Sequence, residues 1–337
     1  MRISILIPCH NEEKSIRKCV ASCLDQTRPA DEVVVVNDGS TDKSGEILAE
    51  FGKRIKVITI PIATGNKSHA QQRGLEHVTG DVFIATDGDT LLNRDFVAEI
   101  EKEFSDPKVM AVGGCVNSLK LNWLTRYRAF EYSIGQNLHK LAQSYMDFMF
   151  VIPGAAGGFR TEVFKKHIHF DHDTITEDLD FTYKFHELGF KINYNRNAIS
   201  YTQDPTTMHQ YINQTRRWYG GGFQNLIKHF SIIHHPVRAL ELSLIYIEGI
   251  LFSALLLVLP FINIVFALQF LMWAVIVNFA FAIWASWKEK RWDILLVPFI
   301  APMFMYLNSW IFLEQFTKEV LLGKKNLVWF QPDRVNI

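Results

Sequence analysis

Two carboxylates two residues apart close an apolar run in Ile84-Ala85-Thr86-Asp87-Gly88-Asp89-Thr90. Leaving a strand, the chain can aim Asp87 and Asp89 at one hard cation, and Mg²⁺ or Mn²⁺ takes one or two carboxylates together with substrate phosphates. An Asp-x-Asp pair also suits an ordinary surface turn. Lys67 and Arg73 lie just upstream as cations able to pair with a diphosphate or to stay solvated. A second acidic group, Thr176-Glu177-Asp178-Leu179-Asp180, opens a helical stretch that ends at Leu188-Gly189. Acids suit a helix start, so Thr176 is expected as the cap and Asp180 as a solvated charge, while Glu177 or Asp178 is open to a role as general base. A third constellation, Gln214-Thr215-Arg216-Arg217-Trp218, sets a guanidinium beside an indole. That pair suits a phosphate clamp with a stacking surface, or a basic helix at a lipid interface.

Two further polar clusters follow short apolar runs: Pro8-Cys9-His10-Asn11-Glu12-Glu13 after Ile7, and Asn37-Asp38-Gly39-Ser40-Thr41-Asp42 after Val36. Helix capping accounts for Ser40 or Asp42. It leaves Asp38 open to accept hydrogen bonds from a nucleobase or ribose.

The elements that must carry these groups are legible from periodicity. Strands are expected at Ile3 to Ile7, Glu32 to Asn37, Ile55 to Ile60 and Asp81 to Thr86, with helices at Glu13 to Leu24, Lys43 to Phe51 and His69 to His77. Strands apolar on both faces and separated by helices predict an α/β fold with a mostly parallel, Rossmann-like sheet. Such sheets bind ligands at the carboxyl ends of their strands, where the polar clusters fall.

The chain has 337 residues, 48% of them hydrophobic, with 35 basic and 35 acidic side chains. That length and balance exclude a disordered chain and a small disulfide scaffold, and no basic excess points to nucleic acid. The neutrality is an average over unlike regions. From Pro205 to Leu240 there is no acid, only Arg216, Arg217, Lys228, Arg238 and four histidines. From Ser243 to Trp287 the sole formal charge is Glu248. Apolar runs at Leu242 to Leu259, Ile264 to Trp287 and Ile294 to Phe312 approach the roughly 20 residues a helix needs to cross hydrocarbon. Flanking tryptophans and the Lys288-Glu289-Lys290-Arg291 loop complete the signature of a multi-pass membrane protein.

The N-terminal residues read as a strand and not as a signal peptide, which predicts a cytoplasmic sheet domain at the cell membrane. Cys9, Cys19, Cys23 and Cys115 lack zinc-ligand spacing and are expected as buried, reduced thiols. Pro298 and Pro302 leave open whether the third apolar run spans or re-enters, and hence whether there are two spans or three. The expected organisation is a catalytic domain over 1–204, an interfacial basic segment over 205–240, membrane helices over 241–313 and an amphipathic tail over 314–337.

With these pieces in order, the chain resembles the family 2 glycosyltransferases of the GT-A fold. The likeness is to the membrane-bound, processive branch that includes cellulose, chitin and hyaluronan synthases. It rests on the order Pro-x-x-Asn-Glu, Asn-Asp-Gly-Ser-x-Asp, Asp-x-Asp, Pro-Gly-x-x-Gly-x-x-Arg at Pro153 to Arg160, Thr-Glu-Asp and Gln-x-x-Arg-Trp. The resemblance implies a nucleotide-sugar site that includes Pro8, Asn11, Glu12 and Glu177. Asp38 would contact uridine, with Lys67 and Arg73 in the segment lining the nucleotide site. Asp87 would touch nucleotide or metal, Asp89 would ligate Mg²⁺ or Mn²⁺, and Gly154 would border the acceptor sugar. Asp178 would be the catalytic base, and Gln214, Arg217 and Trp218 would close over the diphosphate and stack on the acceptor.

The implied reaction is inverting transfer from a UDP-sugar, UDP-GlcNAc or UDP-glucose, to a polysaccharide or membrane-bound glycan, with the lipid bilayer and export subunits as partners. Two alternatives stand beside it: a single addition to polyprenyl phosphate or another lipid, and a non-catalytic transport subunit with a nucleotide-binding domain. The chain departs from the family pattern at Gln203, where the synthases often carry an acid, and at Thr215, where Arg is frequent.

Overall fold

The computed structural model describes residues 1–327 and 334–336. It divides into two compact units: Met1–Asn117 with Lys140–Gln203 and the terminal residues from 334, and Ser118–His139 with the chain from Asp204 onward. The first unit therefore takes in residues from both ends of the chain, and Ser118–His139 belongs with the second.

The first unit is an eight-stranded sheet in the order β3-β2-β1-β4-β7-β6-β8-β5. Its strands are β1 (Ile3–Cys9), β2 (Glu32–Asp38), β3 (Lys56–Ile60), β4 (Val82–Ala85), β5 (Leu91–Leu92), β6 (Val109–Ser118), β7 (Gly157–Arg160) and β8 (Lys191–Thr202). β1 pairs in parallel with β2 and β4, and β2 with β3. β7 then runs antiparallel to both β4 and β6, and β5 to β8. The expected parallel strands are all present, and the antiparallel half comes from segments beyond them.

The chain winds outward from β1 to β3 and then returns to β4 on the other side of β1. That reversal opens a crevice at the carboxyl end of β1, the usual ligand position in such sheets. Both faces are covered by helices, including Ile16–Leu24, Lys67–Leu75 and Phe96–Glu103. The β-branched strand residues Val34 and Val36 are fully buried beside Leu6, Ala70 and Leu75. This is why β1 and β2 read as continuous apolar runs without alternation.

One aromatic cluster fixes the helix that carries the second acidic group. Phe159 packs against Phe83 at 5.2 Å, Phe181 at 5.1 Å and Phe185 at 5.9 Å. Phe181 and Phe185 lie one turn apart on helix Glu177–Glu187, and burying a phenylalanine contributes about 2–3 kcal/mol. Glu177 continues the same stripe one turn earlier, so it too points inward. Asp178, one residue on, is rotated about 100° from it. Asp180 is buried and paired with Lys184 at 2.6 Å, contrary to the solvated charge expected, because the helix presents that position to the packed interior. Thr176 stands at the cap position without a side-chain cap bond.

In the second unit, helix Trp123–Ile134 is closed at its start by a capping box between Asn122 and Thr125. Helix Met208–Lys228 carries the Gln-x-x-Arg-Trp residues and is capped by Thr207. Two helical runs, Pro236–Ile262 and Ile264–Glu289, are long and apolar enough to cross a membrane. The pair Trp292–Phe299 and Ala301–Leu321 is bent by 65° at its break, next to Pro298 and Pro302, and would be a third span if the pair acts as one. Their outward faces are apolar, with Leu251, Phe261, Trp273 and Trp287 all exposed. Part of the tail expected as amphipathic, residues 328–333 and 337, lies outside the described residues.

Candidate active site

Three loops follow the carboxyl ends of β1, β2 and β4, and hydrogen bonds between the first two hold their polar groups in register. Asn11, in the left-handed conformation at φ 52°, accepts from the Thr41 amide at 2.8 Å, and its own amide donates to Ser40 Oγ at 3.0 Å. Asp42 accepts from the Glu13 amide and from the Ser44 amide, each at 2.9 Å, but the cap position of helix Ser44–Ala49 falls to Lys43 and carries no side-chain cap bond, contrary to the capping expected of Ser40 or Asp42. Pro8 lies within β1 opposite Val36.

Asp38, the last residue of β2, accepts from the Thr64 amide at 3.0 Å and the Thr64 hydroxyl at 2.7 Å. It thereby fixes the loop before helix Lys67–Leu75. Gly39 allows this closure. Its φ is +57°, and a Cβ there would sit 2.2 Å from the Ala63 amide nitrogen.

Lys67 ties the two acidic groups together. Its ammonium lies 2.6 Å from Asp87 Oδ1 and 2.8 Å from Glu177 Oε1, so one cation joins the loop after β4 to the start of helix Glu177–Glu187. Gly154 borders this bridge. A Cβ on it would meet Lys67 Nζ at 3.4 Å, Glu177 Oε1 at 3.5 Å and Asp178 Cβ at 3.6 Å, so the glycine keeps the space beside Asp178 open. Asp178 is half-buried, and its Oδ1 accepts from the Leu179 amide at 2.9 Å.

Asp89 holds a different cation. Its Oδ2 lies 2.7 Å from Arg334 Nη1, while Oδ1 accepts from Thr90 Oγ1 at 3.1 Å. The same guanidinium reaches Glu12, with Nη2 3.1 Å from Oε1 and Nε donating to both carboxylate oxygens. Four carboxylates thus share two cations, which leaves two formal negative charges in excess. Burial works against the charge of Lys67, but Asp87 and Glu177 outweigh it and hold the ammonium well above its ordinary value. Arg334 is likewise opposed by burial and raised by Asp89 and Glu12. Burial raises Asp87 and Glu12, and the repulsion of Asp89 adds to it in both.

Arg73 stands apart from these contacts, paired with Glu76 at 2.7 Å on the exposed side of its helix. Asp171, Asp173 and Asp180 also converge, but Lys184 bridges Asp171 and Asp180 at 2.7 and 2.6 Å. The four cysteines are buried free thiols, as expected.

Two residues of the sites escaped the sequence reading. Lys140 is buried, and burial lowers its pKa to about 8 against the opposing fields of Cys115 and Asp178. Arg128, in the second unit, organises the Gln-x-x-Arg-Trp residues. Its guanidinium lies 4.2 Å from the Tyr211 ring centroid and 4.6 Å from that of Trp218. It donates to Gln214 Oε1 at 2.9 Å and pairs with Glu131 at 2.8 Å. A signal existed: Arg128 falls one turn after Leu124 on the apolar stripe of its helix, where a cation requires partners. Arg216 turns away to Glu314 at 2.8 Å, and Arg217 is half-buried.

Comparison with known proteins adds independent findings. Residues 4–168 match the family described as glycosyl transferase family 2. A poly-beta-1,6-N-acetyl-D-glucosamine synthase of Staphylococcus epidermidis is 24% identical over 363 residues, covering 99% of this chain and 88% of that protein. The probable glycosyltransferase YdaM of Bacillus subtilis is 31% identical over 238 residues, covering 67% of this chain and 56% of that one. Among solved structures, the mannosyltransferase PcManGT of Pyrobaculum calidifontis, in complex with GDP-Man and Mn²⁺, superimposes with a TM-score of 0.65. Its identity is 19%, over 96% of this chain and 88% of that one. TarS 1–349 of S. aureus with UDP-GlcNAc gives a TM-score of 0.50 at 18% identity, over 67% of each chain. These structures share the fold.

Proposed function

Since the chain belongs to glycosyltransferase family 2, we propose that it transfers a sugar with inversion from a UDP-sugar to a growing polysaccharide or membrane-bound glycan. Asp178 is its general base in this reading. UDP-GlcNAc is the donor that the relatives favour, through the name of the S. epidermidis synthase and the TarS complex. Membership of a glycosyltransferase family displaces the reading as a non-catalytic transport subunit. The observation that carries the proposal is the Lys67 bridge, which brings the Asp-x-Asp loop and the Glu177-Asp178 helix start into one polar group inside one unit.

The residues present fit a divalent cation. Four carboxylates exceed two cations by two charges, and a positive group, the Arg334 guanidinium, already lies between Asp89 and Glu12. Asp89, with Asp87 beside it, would hold Mg²⁺ or Mn²⁺, which when bound would offset charge on a departing diphosphate.

The chain's own groups do the rest. Asp178 takes the proton from the acceptor hydroxyl, in space that Gly154 leaves clear. Lys67 keeps Glu177 and Asp87 from repelling each other and adds positive charge near the leaving group. Asp38 and the loop it fixes support the nucleotide, and holding both sugars in line supplies much of the acceleration. Gln214, Arg217 and Trp218 keep the diphosphate and acceptor roles that the family resemblance implies. The helices Pro236–Ile262 and Ile264–Glu289 cross the cell membrane in this reading, with the sheet unit in the cytoplasm.

The experiment is transfer by the purified chain from labelled UDP-sugars with Mg²⁺ or Mn²⁺, with products resolved by length. A ladder supports the synthase reading, and a single lipid-linked product supports the alternative of one addition to a polyprenyl phosphate. Full activity in Asp178→Asn would remove the assignment of the base.

A further inference from the structure

We propose that Arg334 is an internal cation that competes with a divalent metal ion for the carboxylates of Asp89 and Glu12, so that metal binding must displace the Arg334 guanidinium from the site. The inference rests on the reading of Asp89 as a metal ligand and goes beyond it by adding Glu12 to the carboxylates in play and naming Arg334 as the competitor.

The contact is built and not incidental. The Arg334 side chain is 11% exposed and forms a fork, Nη1 to Asp89 at 2.7 Å, Nη2 and Nε to Glu12 at 3.1 Å. Those are charge-assisted bonds between a planar donor and two carboxylates held on separate loops. The peptide that follows Arg334 is anchored as well. Lys14 Nζ donates to the Arg334 carbonyl at 3.1 Å, and the Val335 amide donates to Gln203 Oε1 at 3.0 Å. Gln203 is a position at which this chain departs from the synthase pattern, and a neutral amide can accept there without adding charge. Glu12 is further aligned by Ser15 Oγ, which donates to Oε2 at 2.7 Å. Burying Glu12 and Asp89 together is costly without a positive group between them. A guanidinium and a divalent ion answer the same need, and Asp89 Oδ2 cannot serve both at 2.7 Å.

The consequence is a metal affinity set in part by the chain's own Arg334. The test is direct Mn²⁺ binding to the full chain in detergent, without donor, read by loss of the free-ion electron paramagnetic resonance signal. Arg334→Gln is expected to bind Mn²⁺ about tenfold more tightly than the parent. Arg334→Lys, which keeps the charge, is expected to stay nearer the parent. Asp89→Asn is expected to abolish the binding in either background, with thermal melts verifying that each variant is folded. Equal or weaker binding by Arg334→Gln, with Asp89 still required, overturns the competition and leaves the metal reading standing. Binding that is indifferent to Asp89→Asn overturns the metal reading and the inference together.

Discussion

Two buried cation clusters serve opposite ends, and their partners differ accordingly. In the sheet unit, Lys67 and Arg334 are each divided between two carboxylates that come from separate loops at strand or helix ends. In the helical unit, Arg128 lies against two aromatic rings, and the carboxylate it pairs with, Glu131, is on its own helix. An excess of acid over cation is an arrangement that a positively charged ligand can enter. A guanidinium held by two aromatic faces, Gln214 and Glu131 works as a fixed post. The lesson is that the sheet cluster is suited to exchange of charge and the aromatic cluster to holding Gln214 and Trp218 in place.

The largest expected effect breaks the reactive side of this contrast. Asp178→Asn should lower the rate of transfer by about 10²–10⁴-fold, the span of general base catalysis, with little change in donor KM. Steady-state assays with a saturating acceptor check it.

Lys67→Met should come next, because it leaves Asp87 and Glu177 facing each other in a buried site. A loss of about 3 kcal/mol in stability is expected, read by thermal unfolding, and partial recovery in the double variant with Glu177→Gln. Failure of that second change to recover stability would mean that the bridge is not what balances the acids.

Arg128→Met sharpens the other side. It should cost about 2 kcal/mol through lost stacking and an unpaired Glu131, and Arg128→Lys should fall between, since an ammonium lacks the planar face. An Arg128→Lys variant as stable as the parent would argue against stacking as the cause.

The smallest effect concerns pH. The Lys140 cation lowers the pKa of a neighbouring carboxylate, so removing it in Lys140→Met raises that of Asp178. The base must be ionised, and the acid limb of kcat/KM should therefore move to higher pH. Lys140 itself loses its proton above about pH 8, so the two profiles should converge there. Divergence at high pH would assign Lys140 a different role.

Much of the sheet unit was legible because its signals are local. The runs Ile3 to Ile7 and Glu32 to Asn37 became β1 and β2 with shifts of a residue or two, and the acids at Asp87, Asp89, Glu177 and Asp178 fell at element ends as their neighbours required. The apolar runs after Leu242 were equally plain, since length and lack of charge need no partner to be recognised. Asp180 looks solvated in the sequence because its burial depends on which helix face meets the core, and Lys184 and Asp171 supply its setting. Arg73 and Lys67 look alike in the sequence, yet one faces Glu76 in solvent and the other bridges two buried acids.

By itself, then, the sequence determined which residue types stand at which strand and helix ends, because backbone periodicity, turn chemistry and hydrophobic runs act over a few residues. Only the tertiary structure decided which charges are shared. Lys67 reaches across 110 positions to Glu177, Arg128 across 86 to Gln214, and Arg334 across 322 to Glu12. Charge pairing in a buried site depends on distance and dielectric in three dimensions, and neither is written in the spacing along the chain.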